Sequence, residues 1–287
     1  MPTLPVRYTD YSGDTVTIDD TSRILALDTY GTLGTTVYAL GLGDRLVGRD
    51  VSPAVPALAD LPVVTSNGHE LNAEAILALD PSVILTDYSI GPLAVQTTLK
   101  EAGIPVVIMD GERSRDRVEP QIEAVAEALG VREAGVALAA QVADDIEAAE
   151  AEIAELAPDD VTKRPRIAFL YMRGSAGVYY WFGKESGADD LIASLQGVDV
   201  AGATGLVGQQ PLTSEGLVKA DPDLYLMMTD GLESVGGVDG LQEVPGVAQT
   251  TAGRTGCVVD MADYQILSFG PQFPATLRAL GAAVYDR

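Results

Sequence analysis

Leu71-Asn72-Ala73-Glu74-Ala75-Ile76-Leu77-Ala78-Leu79-Asp80-Pro81-Ser82-Val83-Ile84-Leu85 returns in the second half of the chain as Leu212-Thr213-Ser214-Glu215-Gly216-Leu217-Val218-Lys219-Ala220-Asp221-Pro222-Asp223-Leu224-Tyr225-Leu226. Leu, Glu, Asp, Pro and Leu match in register. Each copy reads as a polar cap whose side chain accepts from first-turn N–H groups, a short helix, an Asp-Pro stop and an apolar strand. Two unrelated units could share Asp-Pro, but a Glu in register as well points to duplication or to matched roles.

The same alternation runs outward from both copies. Arg23-Ile24-Leu25-Ala26-Leu27, Ser82-Val83-Ile84-Leu85-Thr86, Pro105-Val106-Val107-Ile108-Met109 and Ile167-Ala168-Phe169-Leu170 are short apolar runs separated by helical patterns. This predicts an α/β fold with largely parallel sheets. Between the halves, Arg132 to Ala157 places Val142, Ile146, Ala149, Ile153 and Leu156 on one stripe, with Glu147, Glu150, Glu152 and Glu155 largely elsewhere. At 1.5 Å per residue such a helix spans roughly 39 Å, more than a crossover within one sheet requires. It reads as a strut ended by Pro158, the alternative being a crossover helix inside one large sheet. The expected organisation is an N-terminal α/β lobe over 1–131, a linking helix over 132–158 and a C-terminal α/β lobe over 159–287.

With 287 residues, 47% of them apolar, the chain has material for two cores. Its formal charge of -24 argues against sequence-independent nucleic-acid binding and against an anionic membrane surface. An anionic ligand would have to be met by locally placed Arg. The lone Cys257, in Gly256-Cys257-Val258-Val259, forms no intrachain disulfide and reads as a small buried hydrophobe. Met1-Pro2-Thr3-Leu4-Pro5 has neither a basic n-region nor an apolar h-region, and no apolar run approaches about 18 residues. The polypeptide as given is expected to be soluble, with any export signal outside it.

His69 is the only histidine and sits in the polar turn Thr65-Ser66-Asn67-Gly68-His69-Glu70. Taken alone, it is an ordinary solvated loop histidine. In the strand Ile167-Ala168-Phe169-Leu170-Tyr171-Met172-Arg173, alternation brings Tyr171 and Arg173 out on one face. Strand aromatics mostly pack, but a charged residue in an apolar strand needs a partner if buried. Enzyme cues are poor: there is no Gly-x-Ser-x-Gly elbow and no P-loop, and Gly41-Leu42-Gly43-Asp44 lacks the third glycine of a dinucleotide fingerprint. A zinc site would have one imidazole and at most one thiol. The chain is not expected to be an enzyme.

The repeat, together with Ala39-Leu40-Gly41-Leu42-Gly43-Asp44-Arg45-Leu46-Val47-Gly48-Arg49-Asp50, Gly68-His69-Glu70-Leu71, Gly231-Leu232-Glu233-Ser234-Val235-Gly236-Gly237 and Phe269-Gly270-Pro271, resembles the substrate-binding proteins of iron-complex ABC importers. Within that group it is similar to the haemin-binding proteins of Gram-positive bacteria, from about Ile24 to the end. The resemblance implies a class III substrate-binding protein: two Rossmann-like lobes joined by a single long helix, with limited hinge motion. It also implies a lipid anchor on the outer face of the cytoplasmic membrane, although no lipobox cysteine is present.

In that subgroup a His of the first lobe and a Tyr of the second hold haem iron between the lobes, and an Arg follows the Tyr by two residues. His69, Tyr171 and Arg173 match. A phenolate oxygen suits ferric iron and imidazole fills the opposite axial position. A free tyrosine titrates near pH ~10, so the metal and a hydrogen bond from Arg173 would both assist. One surface Glu per lobe docks on permease arginines in the family, matching Glu74 and Glu215, which also suit a helix start without any partner.

Tyr88 and Tyr264 are candidates to wall a flat apolar ligand, and the aromatics of Val178-Tyr179-Tyr180-Trp181-Phe182 read mostly as core. Gly270-Pro271-Gln272 stands where the resembling proteins commonly have Gly-Pro-Arg, so a propionate or docking role of that Arg does not carry over to this chain by resemblance. The expected ligand is ferric haem and the expected partners are a haemin-importer permease and a haem-donor surface protein, with the chain a monomer. The alternative within the same frame is a siderophore or corrinoid receptor, whose iron is already satisfied and needs Arg and aromatic contacts instead of protein ligands.

Overall fold

In a computed structural model describing residues 1–52, 55–66 and 68–286, the chain divides into two compact units. One comprises Met1–Glu112, Asp116–Asp144 and Ser268–Gln272; the other comprises Arg113–Arg115, Asp145–Leu267 and Phe273–Arg287.

The first unit opens with an antiparallel hairpin, β1 (Val6–Thr9) and β2 (Thr15–Ile18). Then come β3 (Ile24–Leu27), the short antiparallel pair β4 (Thr65–Ser66) and β5 (Glu70–Leu71), β6 (Val83–Thr86) and β7 (Val106–Ile108). β3, β6 and β7 form a parallel sheet in that order. Ile24 and Ala26 face Leu33, Val37 and Val125 of the helices Thr32–Val37 and Val118–Ala128. Leu25 and Leu27 face Ile76 and Leu99 of the helices Ala73–Ala78 and Leu93–Glu101. Both faces are covered, which is why these strands are apolar throughout except for Thr86 at the end of β6.

The second unit contains β8 (Arg166–Arg173), β9 (Val178–Phe182), β10 (Val198–Asp199), β11 (Gln209–Pro211), β12 (Leu224–Met228) and β13 (Val258–Met261). The order is β11-β9-β8-β12-β13, with β10 beside β8. β8, β12 and β13 are parallel, whereas β9 runs antiparallel to β8 and β11. This sheet is mixed, not largely parallel as expected. Gly174–Ala176 and Gly177 form too short a connection for a parallel crossover, so the chain reverses.

The long helix runs Arg132–Leu156, and the two units share it, the first taking it through Asp144. The expected boundaries instead set it apart as a linker. Two short segments are held in their units by tertiary bonds. Ser268 Oγ lies 3.0 Å from Thr32 Oγ1, holding Ser268–Gln272 on the first unit. Arg113 Nη2 donates to Ser186 O (3.0 Å) and Arg115 N to Asp190 Oδ2 (2.9 Å), holding Arg113–Arg115 on the second. Of the predicted stripe, Val142, Ile146, Ala149 and Ile153 are buried, but Leu156 is exposed. Ala157, one turn beyond Ile153, takes the inward position instead.

The sequence repeat is also a structural one. Asn72 Oδ1 accepts from Ala75 N (3.1 Å) and Thr213 Oγ1 from Gly216 N (3.2 Å), capping the helices Ala73–Ala78 and Ser214–Ala220. Asp80 and Asp221 both adopt left-handed φ, 45° and 39°. Each precedes a proline, which disfavours the right-handed helical region for the residue before it. β6 and β12 follow. Cys257 is half-buried, not a core residue as expected.

Candidate functional site

In the first unit, His69 lies on the turn of the β4–β5 hairpin, where Ser66 pairs with Glu70 and Thr65 with Leu71. Gly68 supplies the positive φ of 88° that the reversal uses. Asn67, part of the expected turn, lies outside the described residues. Leu71 is buried and its N–H donates to Gly91 O (2.6 Å), fixing the hairpin to the loop beyond β6. The imidazole is half-buried, with Nδ1 shielded from solvent. Tyr88 follows β6, is 53% exposed, and its ring centroid lies 6.4 Å from that of Tyr11.

The loops after β3 and β6 carry Asp28 and Asp87, and Asp50 is buried with them in this unit. Burial, and then the charge of Asp87, push the Asp28 carboxyl up to about 7, against N–H donation from Leu33, Thr32 and Tyr30. Asp50 is raised well above the ordinary range by burial and then by Asp28.

In the second unit, β8 delivers Tyr171 and Arg173 to one face as alternation predicts. The Arg173 Cζ lies 4.5 Å from the centroid of the Tyr171 ring. Phe182 stacks on the same ring at 5.9 Å and 18°, and on Phe169 at 5.1 Å. The β8–β9 register explains this, pairing Phe169 with Phe182, Tyr171 with Tyr180 and Arg173 with Val178. Arg173 is not bonded to the phenol oxygen. Its Nη2 donates to Asp263 Oδ2 (2.6 Å) and its Nη1 to Met172 O (2.8 Å). Among the described residues the Tyr171 hydroxyl has no hydrogen bond, which leaves its oxygen available to a ligand.

Asp263 was not anticipated, nor were Tyr180 and Phe182 as partners of Tyr171. Alternation in Val178–Phe182 puts Tyr180 and Phe182 on one face, but only the strand register brings that face to Tyr171. Asp263 is half-buried; burial raises its carboxyl from the ordinary range, and Arg173 draws it partly back. Tyr264, its neighbour on the short helix Asp263–Ile266, is half-buried.

Glu74 and Glu215 are exposed in the first turns of the two repeat helices. Gln272 donates through Nε2 to Ser268 Oγ. This bond lies within the Ser268–Gln272 segment.

Residues 29–264 match the model of the family described as periplasmic binding protein. Among solved structures, a heme binding protein HmuT is 43% identical, covering 100% of this chain and 92% of that one, with a TM-score of 0.96. Structures of that relative include alanine variants of a histidine, a tyrosine and an arginine, the arginine two positions beyond the tyrosine. The periplasmic heme-binding protein RhuT from Roseiflexus sp. RS-1 is 36% identical over 93% of this chain and 99% of its own, with a TM-score of 0.85. An uncharacterized ABC transporter substrate-binding lipoprotein, YvrC of Bacillus subtilis (strain 168), is 24% identical over 98% of this chain and 86% of that protein. The chain belongs to the periplasmic binding protein family, with the class III α/β fold, and is a binding protein and not an enzyme.

Proposed function

We propose that this protein is an extracytoplasmic haem receptor that captures ferric haem and delivers it to an ABC permease, with His69 and Tyr171 as the two axial ligands. The observation that carries this reading is the Tyr171–Arg173 pair: a phenol oxygen free of hydrogen bonds, on a ring overlain by a guanidinium. A phenolate oxygen is a hard anionic donor of the kind ferric iron takes. A porphyrin supplies four equatorial nitrogens, so the protein needs only axial donors, and imidazole and phenolate both serve. Relatives at 43% and 36% identity are heme-binding proteins, and the triad varied in the first has the chemistry and Tyr-x-Arg spacing seen here. Tyr88 and Tyr264 are proposed as porphyrin contacts, and Arg173 as the residue that orients the phenolate.

Glu74 and Glu215 are proposed to dock on the permease. Attachment by a lipid anchor is supported by the lipoprotein relative, and no helix among the described residues is long and apolar enough to cross a membrane. Delivery is proposed from a surface haem donor to a monomeric receptor.

Titration with haemin should give a saturable 1:1 Soret change, weakened at least about ten-fold in His69→Ala and in Tyr171→Ala, since losing even an outer partner of a metal ligand acts on that scale. Parent-like binding by both variants would show the axial assignment to be wrong.

A further inference from the structure

Asp263 emerges from the short helix after β13, and β8 carries Arg173 to it. The contact is more than a surface ion pair. Two different guanidinium nitrogens are fixed, Nη2 by Asp263 Oδ2 at 2.6 Å and Nη1 by Met172 O at 2.8 Å, which sets the plane of the group as well as its position. The second carboxylate oxygen accepts from Asp230 N at 3.2 Å, so Asp263 is itself anchored. Space has been left for this arrangement: a Cβ on Gly231 would stand 3.1 Å from Met172 O and 3.3 Å from Arg173 Nη1. A long arginine side chain held only by a neighbouring carbonyl would sample many rotamers. Held at both nitrogens, it stays over the Tyr171 ring.

We propose that Asp263 is a positioning residue for haem ligation: it locks Arg173 over the face of Tyr171, and through Arg173 it fixes the direction of the phenolate and slows haem release. This rests on the reading of Tyr171 as an iron ligand. The chemistry is that of a metal ligand oriented by an outer partner, carried one residue further out. Asp263 touches neither the iron nor the phenol.

The test uses ferric-haem complexes of the parent and of Asp263→Asn, Asp263→Glu, Arg173→Ala and Tyr171→Phe. Two quantities are followed: the rate of haem transfer to excess apomyoglobin, and the iron–phenolate band in resonance Raman spectra. Asp263→Asn is expected to keep 1:1 binding, lose haem about ten-fold faster and shift the band. Asp263→Glu should return the rate to within about three-fold of the parent, because a carboxylate again meets the guanidinium. In the Arg173→Ala background, Asp263→Asn should add nothing.

A parent-like rate and band in Asp263→Asn, with both altered in Arg173→Ala, would overturn the role of Asp263. So would an additive effect in the double variant. A Tyr171→Phe complex with the parent's rate and band would instead sink the ligand reading underneath, which separates the two failures.

Discussion

Asp28 and Asp50 are two carboxyl groups buried within one unit, and their chemistry runs opposite to that of a surface acid. Asp28 is pushed up to about 7 and Asp50 in the same direction, burial being the main cause for each. An acid whose folded pKa lies above its unfolded value, near 3.8 here, binds its proton more tightly when folded. Its stabilising contribution is complete below the unfolded pKa and is lost as pH rises through about 7. Urea unfolding should therefore show stability rising by about 1 kcal/mol from pH 8 to pH 6 through this group. In Asp28→Asn, with the titrating carboxyl gone, that rise should flatten; an unchanged slope would remove Asp28 as its source. At this scale the sequence exposes His69, Tyr171 and Arg173, because a lone histidine and a period-two strand can be read locally. It hides Asp263, since nothing local links it to Arg173.

The repeat illustrates how far an element can be read in advance. Cap, helix, Asp-Pro stop and strand all depend on residues within one turn of each other, so both copies could be traced before the fold was known. What lies on their exposed faces is Glu74 and Glu215. A carboxylate in the first turn contributes only about 0.3–1 kcal/mol through the helix dipole, so removing both should be tolerated by the fold. Glu74→Ala with Glu215→Ala is expected to leave haem affinity and melting temperature nearly unchanged while weakening association with the permease in reconstituted membranes. Normal docking by the double variant would take these carboxylates out of the delivery step. The β8–β9 hairpin is the contrasting element. Its antiparallel register brings Phe182 against Tyr171, and the apolar alternation of either strand alone is compatible with several registers.

For the whole molecule the dominant electrostatic fact is a formal charge of -24 on 287 residues. Self-repulsion on that scale opposes the compact state and is screened by salt, with a Debye length of about 30 Å at 0.01 M and about 8 Å at 0.15 M. Melting temperature should rise by a few degrees over that range; a fall would mean that attractive surface ion pairs, such as Arg278 with Glu152 at 3.0 Å, outweigh the repulsion. The sequence by itself determined the α/β class, the long helix, the repeated capped helices and the strand that presents Tyr171 beside Arg173, because all of these follow from periodicity and from neighbours along the chain. Only the tertiary structure decided that the helix is shared between two units, that Ser268–Gln272 and Arg113–Arg115 change sides, that one sheet is mixed, and that Asp263 holds Arg173. Those outcomes depend on hydrogen bonds and strand registers between distant segments, whose free energy is gained only once the backbone has brought them together.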